Sequence, residues 1–285
     1  MSLLNEVKVI LKQYNIKPRK RLGQNFMISL KSIMNMIEFA KISKEEVVLE
    51  IGAGLGLLTK RIAERARKVI AIEIDRKLLR VLEDVLKDFD NVEIIHADIL
   101  KFKITEEIDK IVSNVPFNIS SPLLFKLAKE NFFKEAILTF QKEFVDRMLA
   151  EPGSADYGRL SVTSRFFFDI EFLGVIPRSC FYPPPEVDTS IIKLIPRRKY
   201  PQSPVDDIFL TLTQFIFNRK NRKLKNTLLK FFEVQKMPIN IQNEILSKIT
   251  FLDTRVIDLN MYDIYNVALQ IYNSYYKNNS RNIML

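Results

Sequence analysis

The chain has one cysteine, Cys180, one histidine, His96, and only 7 glycines in 285 residues. A single thiol builds no internal disulfide framework or cysteine-based metal cluster, and a single imidazole excludes a multi-histidine metal site. No metal is therefore expected. No stretch approaches the roughly 18 uninterrupted apolar residues that a membrane-spanning helix needs, so no membrane partner is expected either. The stretch Met1–Tyr14 has apolar residues at Leu3, Leu4, Val7, Ile10 and Leu11, which is helical spacing. It lacks the continuous apolar centre and small-residue cleavage site of a secretory signal. These absences point to the reducing interior of a cell, with a cytoplasmic location expected.

Positive charge is abundant instead. The formal net charge is +10 and the sequence pI about 9.5, against an ordinary globular background of 47% apolar and 27% charged residues. The excess is clumped into Lys17, Arg19, Lys20 and Arg21 and into Arg219, Lys220, Arg222, Lys223 and Lys225. One basic cluster is more often a solvated face than a site. Two clusters on a chain of this charge favour a polyanion, nucleic acid first and an anionic membrane surface second.

From Val47 onward, short apolar runs alternate with helical stretches. The runs 47–51, 69–74, 92–97, 110–113 and 136–140 read as strands, and 57–65, 77–87, 122–129 and 143–149 as helices. Continuous apolar strands alternating with helices imply a parallel sheet covered on both faces, an α/β architecture. After a helical stretch at 157–168, the runs 169–175 and 189–194 add two strands, close enough to pair as an antiparallel hairpin. From Pro196 the pattern becomes helical throughout, at 208–217, 224–232, 239–248 and 261–276. This predicts a first domain of residues 1–196 and an all-α domain of 197–285, with the boundary in the proline-rich stretch 196–204.

Three of the scarce glycines, Gly52, Gly54 and Gly56, fall within "EIGAGLG", between the first strand of this series and its helix. Glycine there lets a backbone approach a ligand, and the helix N-terminus offers unpaired N–H groups. The spacing excludes two common ligands. A dinucleotide loop would need its third glycine at Leu57, and a triphosphate loop needs a Gly-Lys-Ser/Thr sequence that is absent. G-x-G-x-G after the acidic Glu50 looks like the S-adenosylmethionine loop of Rossmann-like methyltransferases. Glu73 follows about 20 residues later at the next strand end, where a carboxylate can accept both ribose hydroxyls. Asp98 follows the third strand, where it can accept an adenine exocyclic amine. An isolated Asp is more often a helix N-cap. Three such features on successive strand ends of one parallel sheet line a single crevice and support one another. His96 reads as a packing or surface residue.

The fourth strand ends in "SNVPFNIS", which offers no acid, base or thiol. That suits methylation of an exocyclic amine, whose nitrogen lone pair is delocalised into the base. The Asn114 side-chain carbonyl and the Val115 backbone carbonyl can accept the two N–H groups and aim the lone pair. Pro116 stiffens the turn, and Phe117 offers a flat face for a flipped base. A sulfonium is already an activated methyl donor, so orientation does most of the work and no strong base is required.

"LGQNFM" (22–27), "EIGAGLGLLT" (50–59), "SNVPFNISSP" (113–122), "YGRLSV" (157–162) and "FYPPPEVDTSIIKL" (181–194) together closely resemble the ribosomal RNA adenine N6,N6-dimethyltransferases. The resemblance runs from about Gln13 into the C-terminal region, where "FNRKNRKLKNTL" is similar to that family's basic helix. It implies a class I methyltransferase fold with a mostly parallel seven-stranded sheet and a small helical RNA-recognition domain. It implies S-adenosylmethionine as cofactor and dimethylation of two adjacent adenosines near the 3′ end of small-subunit ribosomal RNA, on a pre-small-subunit particle, by a monomer. By motif matching, Asn25 and Met27 join Gly52, Glu73, Asp98 and Asn114 at the cofactor, and Phe181 joins the target-base pocket. Phe117 stands where many members carry Tyr, so the ring is kept and no role for a hydroxyl follows.

Three other functions share parts of this pattern. A large-subunit rRNA adenine methyltransferase of the antibiotic-resistance type has most of the motifs, but "CFYPPPEVD" and the long basic helical region favour the small subunit. Cytosine C5 methylation would use Cys180 as nucleophile, yet Cys180 precedes an aromatic–triproline turn rather than the fourth-strand loop. A non-catalytic RNA-binding assembly factor would not require the set Gly52, Glu73, Asp98 and Asn114.

Overall fold

The computed structural model describes residues 2–130, 132–197, 201 and 203–277. Residues 198–200 and 202, inside the boundary stretch 196–204 read from the sequence, lie outside the described residues. The chain forms two compact units, Met1–Val145 with Asp169–Pro196, and Asp146–Phe168 with Arg197–Leu285.

The first unit opens with helix α1 (Leu3–Gln13), capped by the Ser2 side chain, and a two-residue strand β1 (Phe26–Met27). Helix α2 (Leu30–Ala40) follows, capped by Ser29 and closed by Lys41 in the left-handed region. Then come β2 (Val47–Ile51), α3 (Leu57–Ala63), β3 (Lys68–Glu73), α4 (Arg76–Val85), β4 (Val92–His96), β5 (Ile108–Asn114), α5 (Ser120–Glu130) and β6 (Phe133–Gln141). After α6 (Lys142–Leu149) and α7 (Arg159–Phe167), the chain adds β7 (Phe168–Ile176), a second two-residue strand β8 (Phe181–Tyr182), and β9 (Thr189–Pro196). Seven strands form one sheet in the order β4-β3-β2-β5-β6-β9-β7. The pairs β2–β3, β3–β4, β2–β5 and β5–β6 are parallel, and β9 runs antiparallel to β6.

All five residues of β2, "VVLEI", are buried, as befits a central strand covered on both faces, and its one acid, Glu50, is buried with them. On leaving β2 the chain steps outward to β3 and β4, then returns to place β5 on the other flank of β2. The strand order therefore reverses between β2 and β5, and ligands of open α/β sheets bind at the carboxyl ends of the strands at such a point. The loops after β2 and β5 begin at Gly52 and Val115.

The strands β1 and β8 pair antiparallel, Phe26 with Tyr182 and Met27 with Phe181, as a separate ribbon. Successive strand residues point to opposite sides, and the ribbon uses this. Met27 and Phe181 join the cluster of Ile33, Met36, Leu58 and Ile62, whereas Phe26 joins that of Val7, Leu11, Leu55 and Leu78. The ribbon thus fastens the segment before it to two apolar clusters at once.

The second unit holds α7 together with α8 (Pro204–Phe217), α9 (Leu224–Val234), α10 (Ile239–Ser247) and α11 (Met261–Ile271). Residues 146–168, read from sequence as part of the first domain, pack with this unit. The Phe166 and Phe209 rings lie 4.5 Å apart between centroids, and the Tyr157 hydroxyl donates to the Leu259 carbonyl at 2.7 Å. Periodicity could not show this, because an amphipathic helix looks the same whichever core it faces. No helix among the described residues is long and apolar enough to cross a membrane.

Candidate active site

The carboxyl ends of the parallel strands open on one cavity. Its lining includes Asn25, Met27, Gly52, Glu73, Asp98 and Asn114. All six positions assigned to the cofactor from sequence are therefore neighbours, although they are drawn from five segments of the chain.

Gly52 has φ +74°, and a Cβ built on it would fall 2.9 Å from Pro116 Cγ. Only glycine lets the β2 loop sit this tightly under the β5 loop. Glu73 ends β3 with 5% exposure. Its Oε2 accepts from Gly54 N at 2.9 Å and its Oε1 from Asp75 N at 2.8 Å. Burial pushes its carboxyl above the ordinary carboxylate range, while those N–H groups hold it partly down. Asp98 Oδ1 accepts from Leu100 N at 3.0 Å, so one carboxyl oxygen closes a turn rather than capping a helix, and the residue still lines the cavity.

Glu50, the acid before the glycines, also lines the cavity and is 2% exposed. Burial pushes its carboxyl up to about 8; Thr59 lowers it and the negative charge of Glu73 raises it further. Neither Glu50 Oε2 nor Thr59 Oγ1 has a hydrogen-bond partner within normal geometry. A buried carboxyl oxygen without a partner is costly unless a ligand supplies one. The glycine cradle, two buried acids of which one has an unpartnered oxygen, and the acidic rim at Asp98 fit a ligand with ribose hydroxyls, amino groups and a positive charge. S-adenosylmethionine carries all three.

On the β5 side, the Asn114 amide is held at both ends. Its Nδ2 donates to the Asn25 carbonyl at 3.1 Å, and its Oδ1 accepts from Thr139 Oγ1 at 2.8 Å. Thr139 faces Asn114 across the β5–β6 register and is fully buried. Val115 is buried, Pro116 lines the cavity, and Phe117 opens a short turn (117–119) with its ring half-buried. Neither Val115 nor Phe117 belongs to the cavity wall, and neither does Phe181. Phe181 is 2% exposed and packs with Met27 in the apolar cluster. Cys180 packs at the margin of the same cluster, its carbonyl accepting from Ile28 N at 2.8 Å, and it too is absent from the wall. His96 is exposed, with Nε2 3.2 Å from the Ile74 carbonyl.

Residues the sequence did not single out complete the site. The wall continues through Leu22, Gly23 and Gln24, and Asn118 faces them from the β5 loop. Gly23, at φ +63°, lies so close to this loop that a Cβ would fall 2.7 Å from Asn118 Oδ1 and 2.9 Å from Phe117 N. The only sequence signal for this approach was the lone glycine before "QNF".

The basic segment of the second unit divides into structural and open members. Lys220 Nζ donates to the Ala155 and Tyr157 carbonyls at 2.7 and 3.2 Å, and Lys223 pairs with Asp253 at 2.8 Å. Arg219 lies over the Phe215 ring, 5.1 Å from its centroid. Arg222 and Lys225 are exposed, and Arg222 makes no ion pair among the described residues. The backbone beneath them is rigidly tied. Val256 N donates to the Arg222 carbonyl, Ile257 N to that of Lys220, and Leu224 N to that of Thr254. No group of acids, histidines and cysteines among the described residues could hold a metal ion.

With this geometry in place, comparison with known proteins is specific. Residues 15–268 match the family model for ribosomal RNA adenine dimethylase. The chain is 40% identical over 268 residues to a protein of Methanosarcina mazei named as a probable ribosomal RNA small subunit methyltransferase A, covering 93% of this chain and 97% of that one. Among solved structures it resembles a dimethyladenosine transferase from Plasmodium falciparum, with TM-score 0.77, 30% identity, and coverage of 87% and 98% of the two chains. It also resembles the 23S rRNA methyltransferase ErmE, with TM-score 0.65, 26% identity, and coverage of 86% and 99%.

Proposed function

The chain belongs to the ribosomal RNA adenine dimethylase family, and we propose that it methylates the N6 amines of two adjacent adenosines near the 3′ end of small-subunit ribosomal RNA. It is an S-adenosylmethionine-dependent enzyme, and the RNA is its substrate. The observation that carries this reading is the placement of an uncharged, doubly anchored amide, Asn114, in the wall of the cavity formed by Gly52, Glu73 and Asp98.

Glu73 would accept the ribose hydroxyls, Asp98 would accept the adenine amine, and the Gly52–Gly54 backbone would hold the methionine portion. Asn25 and Met27 close the cavity from the N-terminal side. Bound S-adenosylmethionine supplies an electrophilic methyl on a sulfonium leaving group. The chain's residues then need only to orient a nucleophile. Asn114 is suited to that task because its NH2 end is committed to the Asn25 carbonyl, which turns Oδ1 toward acceptor duty. Thr139 takes one lone pair of Oδ1 and leaves the other for an N–H of the target amine. The Val115 carbonyl accepts the second N–H, and the half-buried Phe117 ring stacks on the flipped adenine. Phe181 contributes from beneath, by packing under Met27.

Arg222, Lys225 and the exposed Lys17 and Arg21 meet RNA phosphates. The preferred substrate is a pre-small-subunit particle, and the enzyme acts as a monomer in the cytoplasm. The methyl-transfer domain is residues 1–196, with 146–168 packed on the RNA-recognition helices of 197–285. The large-subunit alternative is disfavoured by the named small-subunit relative, which aligns along nearly the whole chain. Incubation with S-adenosylmethionine and, separately, small-subunit and large-subunit particles tests the choice. Dimethyladenosine in small-subunit RNA alone is expected, and dimethyladenosine in large-subunit RNA alone overturns it.

A further inference from the structure

We propose that Asp75 is a positioning residue, a buried latch that seats the N-terminal segment 19–27 across the cofactor cavity. The inference rests on the cofactor reading of that cavity. Asp75 is 3% exposed and does not line the cavity. Its carboxylate nevertheless serves three donors. Oδ1 accepts from Lys77 N at 3.1 Å, capping α4, and pairs with Arg19 Nη1 at 3.2 Å. Oδ2 accepts from Gln24 Nε2 at 2.8 Å.

Arg19 and Gln24 are the two ends of one closed turn. Arg19 N donates to Gln24 Oε1 at 2.8 Å, and residues 20–22 between them form a single 3-10 turn ending at the left-handed Gly23. Asp75 therefore grips both ends of the turn that carries the basic residues Lys20 and Arg21. Beyond Gln24 the segment runs through Asn25, whose carbonyl accepts from Asn114, into the β1 ribbon. The latch also lies one residue beyond Ile74 from Glu73, and its own N–H donates to Glu73 Oε1. One buried residue thus joins the ribose acceptor, through its N–H, to the basic turn, through its carboxylate, and the segment continues through Asn25 to the amide that faces the target amine.

An ordinary helix cap would explain Asp75 without any of this. Asp75→Asn separates the two, because Asn caps a helix as well as Asp. If its one oxygen keeps Lys77 N, its NH2 end meets the Gln24 donor and cannot bind it, and the neutral amide no longer pairs with the Arg19 charge. The variant keeps the cap and releases the latch.

The test uses the full chain, with S-adenosylhomocysteine as probe. Calorimetry is expected to show affinity for it falling about tenfold in Asp75→Asn. Amide hydrogen exchange without any ligand should accelerate in 19–27, while α4 exchanges as in wild type. Arg19→Gln should behave similarly, and adding it to Asp75→Asn should cause little further loss, since both remove the same contact. Gln24→Met, which leaves the ion pair intact, provides a milder release should Asp75→Asn not fold. Wild-type exchange in 19–27 in folded Asp75→Asn, or losses that simply add, overturns the latch. Failure of the wild-type protein to bind S-adenosylhomocysteine would overturn the cofactor reading instead, and the ligand-free exchange experiment would still decide the latch.

Discussion

Asn114 Nδ2 donates to the Asn25 carbonyl at 3.1 Å, joining residues 89 positions apart. The bond fixes which end of the amide is the acceptor and attaches the N-terminal segment to the β5 side of the cavity. Asn114→Ala removes both functions. Loss of one preorganised hydrogen-bonding group from an active site typically costs on the order of 10²-fold or more in kcat. Single-turnover methylation should fall by at least that factor. Asn114→Asp should also be impaired, because a carboxylate cannot donate to the Asn25 carbonyl. Wild-type rates in either folded variant would remove Asn114 from the mechanism.

Phe117 is half-buried at the start of the turn after Pro116. Base–aromatic stacking is worth about 1–3 kcal/mol, so Phe117→Ala should lower transfer efficiency roughly ten- to a hundredfold with little change in melting temperature. Phe117→Tyr keeps the ring face and should stay active. A Phe117→Ala variant that melts early, while its folded fraction methylates normally, would make Phe117 a packing residue.

Neutralising Arg222 and Lys225 should weaken RNA binding and flatten its salt dependence, as loss of phosphate contacts does. Neutralising Lys220 should mainly destabilise the second unit, because Lys220 is bound to the carbonyls of Ala155 and Tyr157. Binding titrations at several salt concentrations, paired with melting curves, distinguish the two. An unchanged salt slope in the Arg222/Lys225 variant would make the segment a solvated face.

Glu50 carries a pH signature. Its carboxyl stands at about 8 in the folded chain against an ordinary 4.5. The folded state therefore holds this proton more tightly than the unfolded state does. The associated stability is fully present below about pH 4.5 and is lost as pH rises through about 8. Glu50→Gln is permanently neutral and should lose less melting temperature than wild type between pH 5 and 8, with the larger gap at pH 8. Parallel melting curves for the two proteins over that range would show Glu50 to be ionised throughout.

The parallel strands were legible because central strands buried on both faces give unbroken apolar runs, as in the "VIAI" of β3. The glycine trio, Glu73, Asp98 and Asn114 were legible because parallel strands bring their carboxyl ends to one edge. The β1–β8 ribbon was not, since two-residue strands have no periodicity to detect. Asp75 looked like an ordinary helix cap, and its partners Arg19 and Gln24 lie 56 and 51 positions away. Within the basic segment, charge alone could not separate Lys220, which faces carbonyl oxygens, from Arg222, which faces solvent. Motif matching alone assigns Phe181 to the target-base pocket, and its pairing with Met27, which sets its side chain in the apolar cluster, has no signal in the sequence.

The central claim is that this cavity methylates an adenine amine held by Asn114 on small-subunit RNA. Mass mapping of modified nucleosides tests it most directly, in RNA from small-subunit particles lacking the modification, after incubation with the protein and S-adenosylmethionine. The account predicts N6,N6-dimethyladenosine at two adjacent positions near the 3′ end, absent with Asn114→Ala. A methylated cytosine, or no new methyl group with wild-type protein that binds both particle and cofactor, would contradict it.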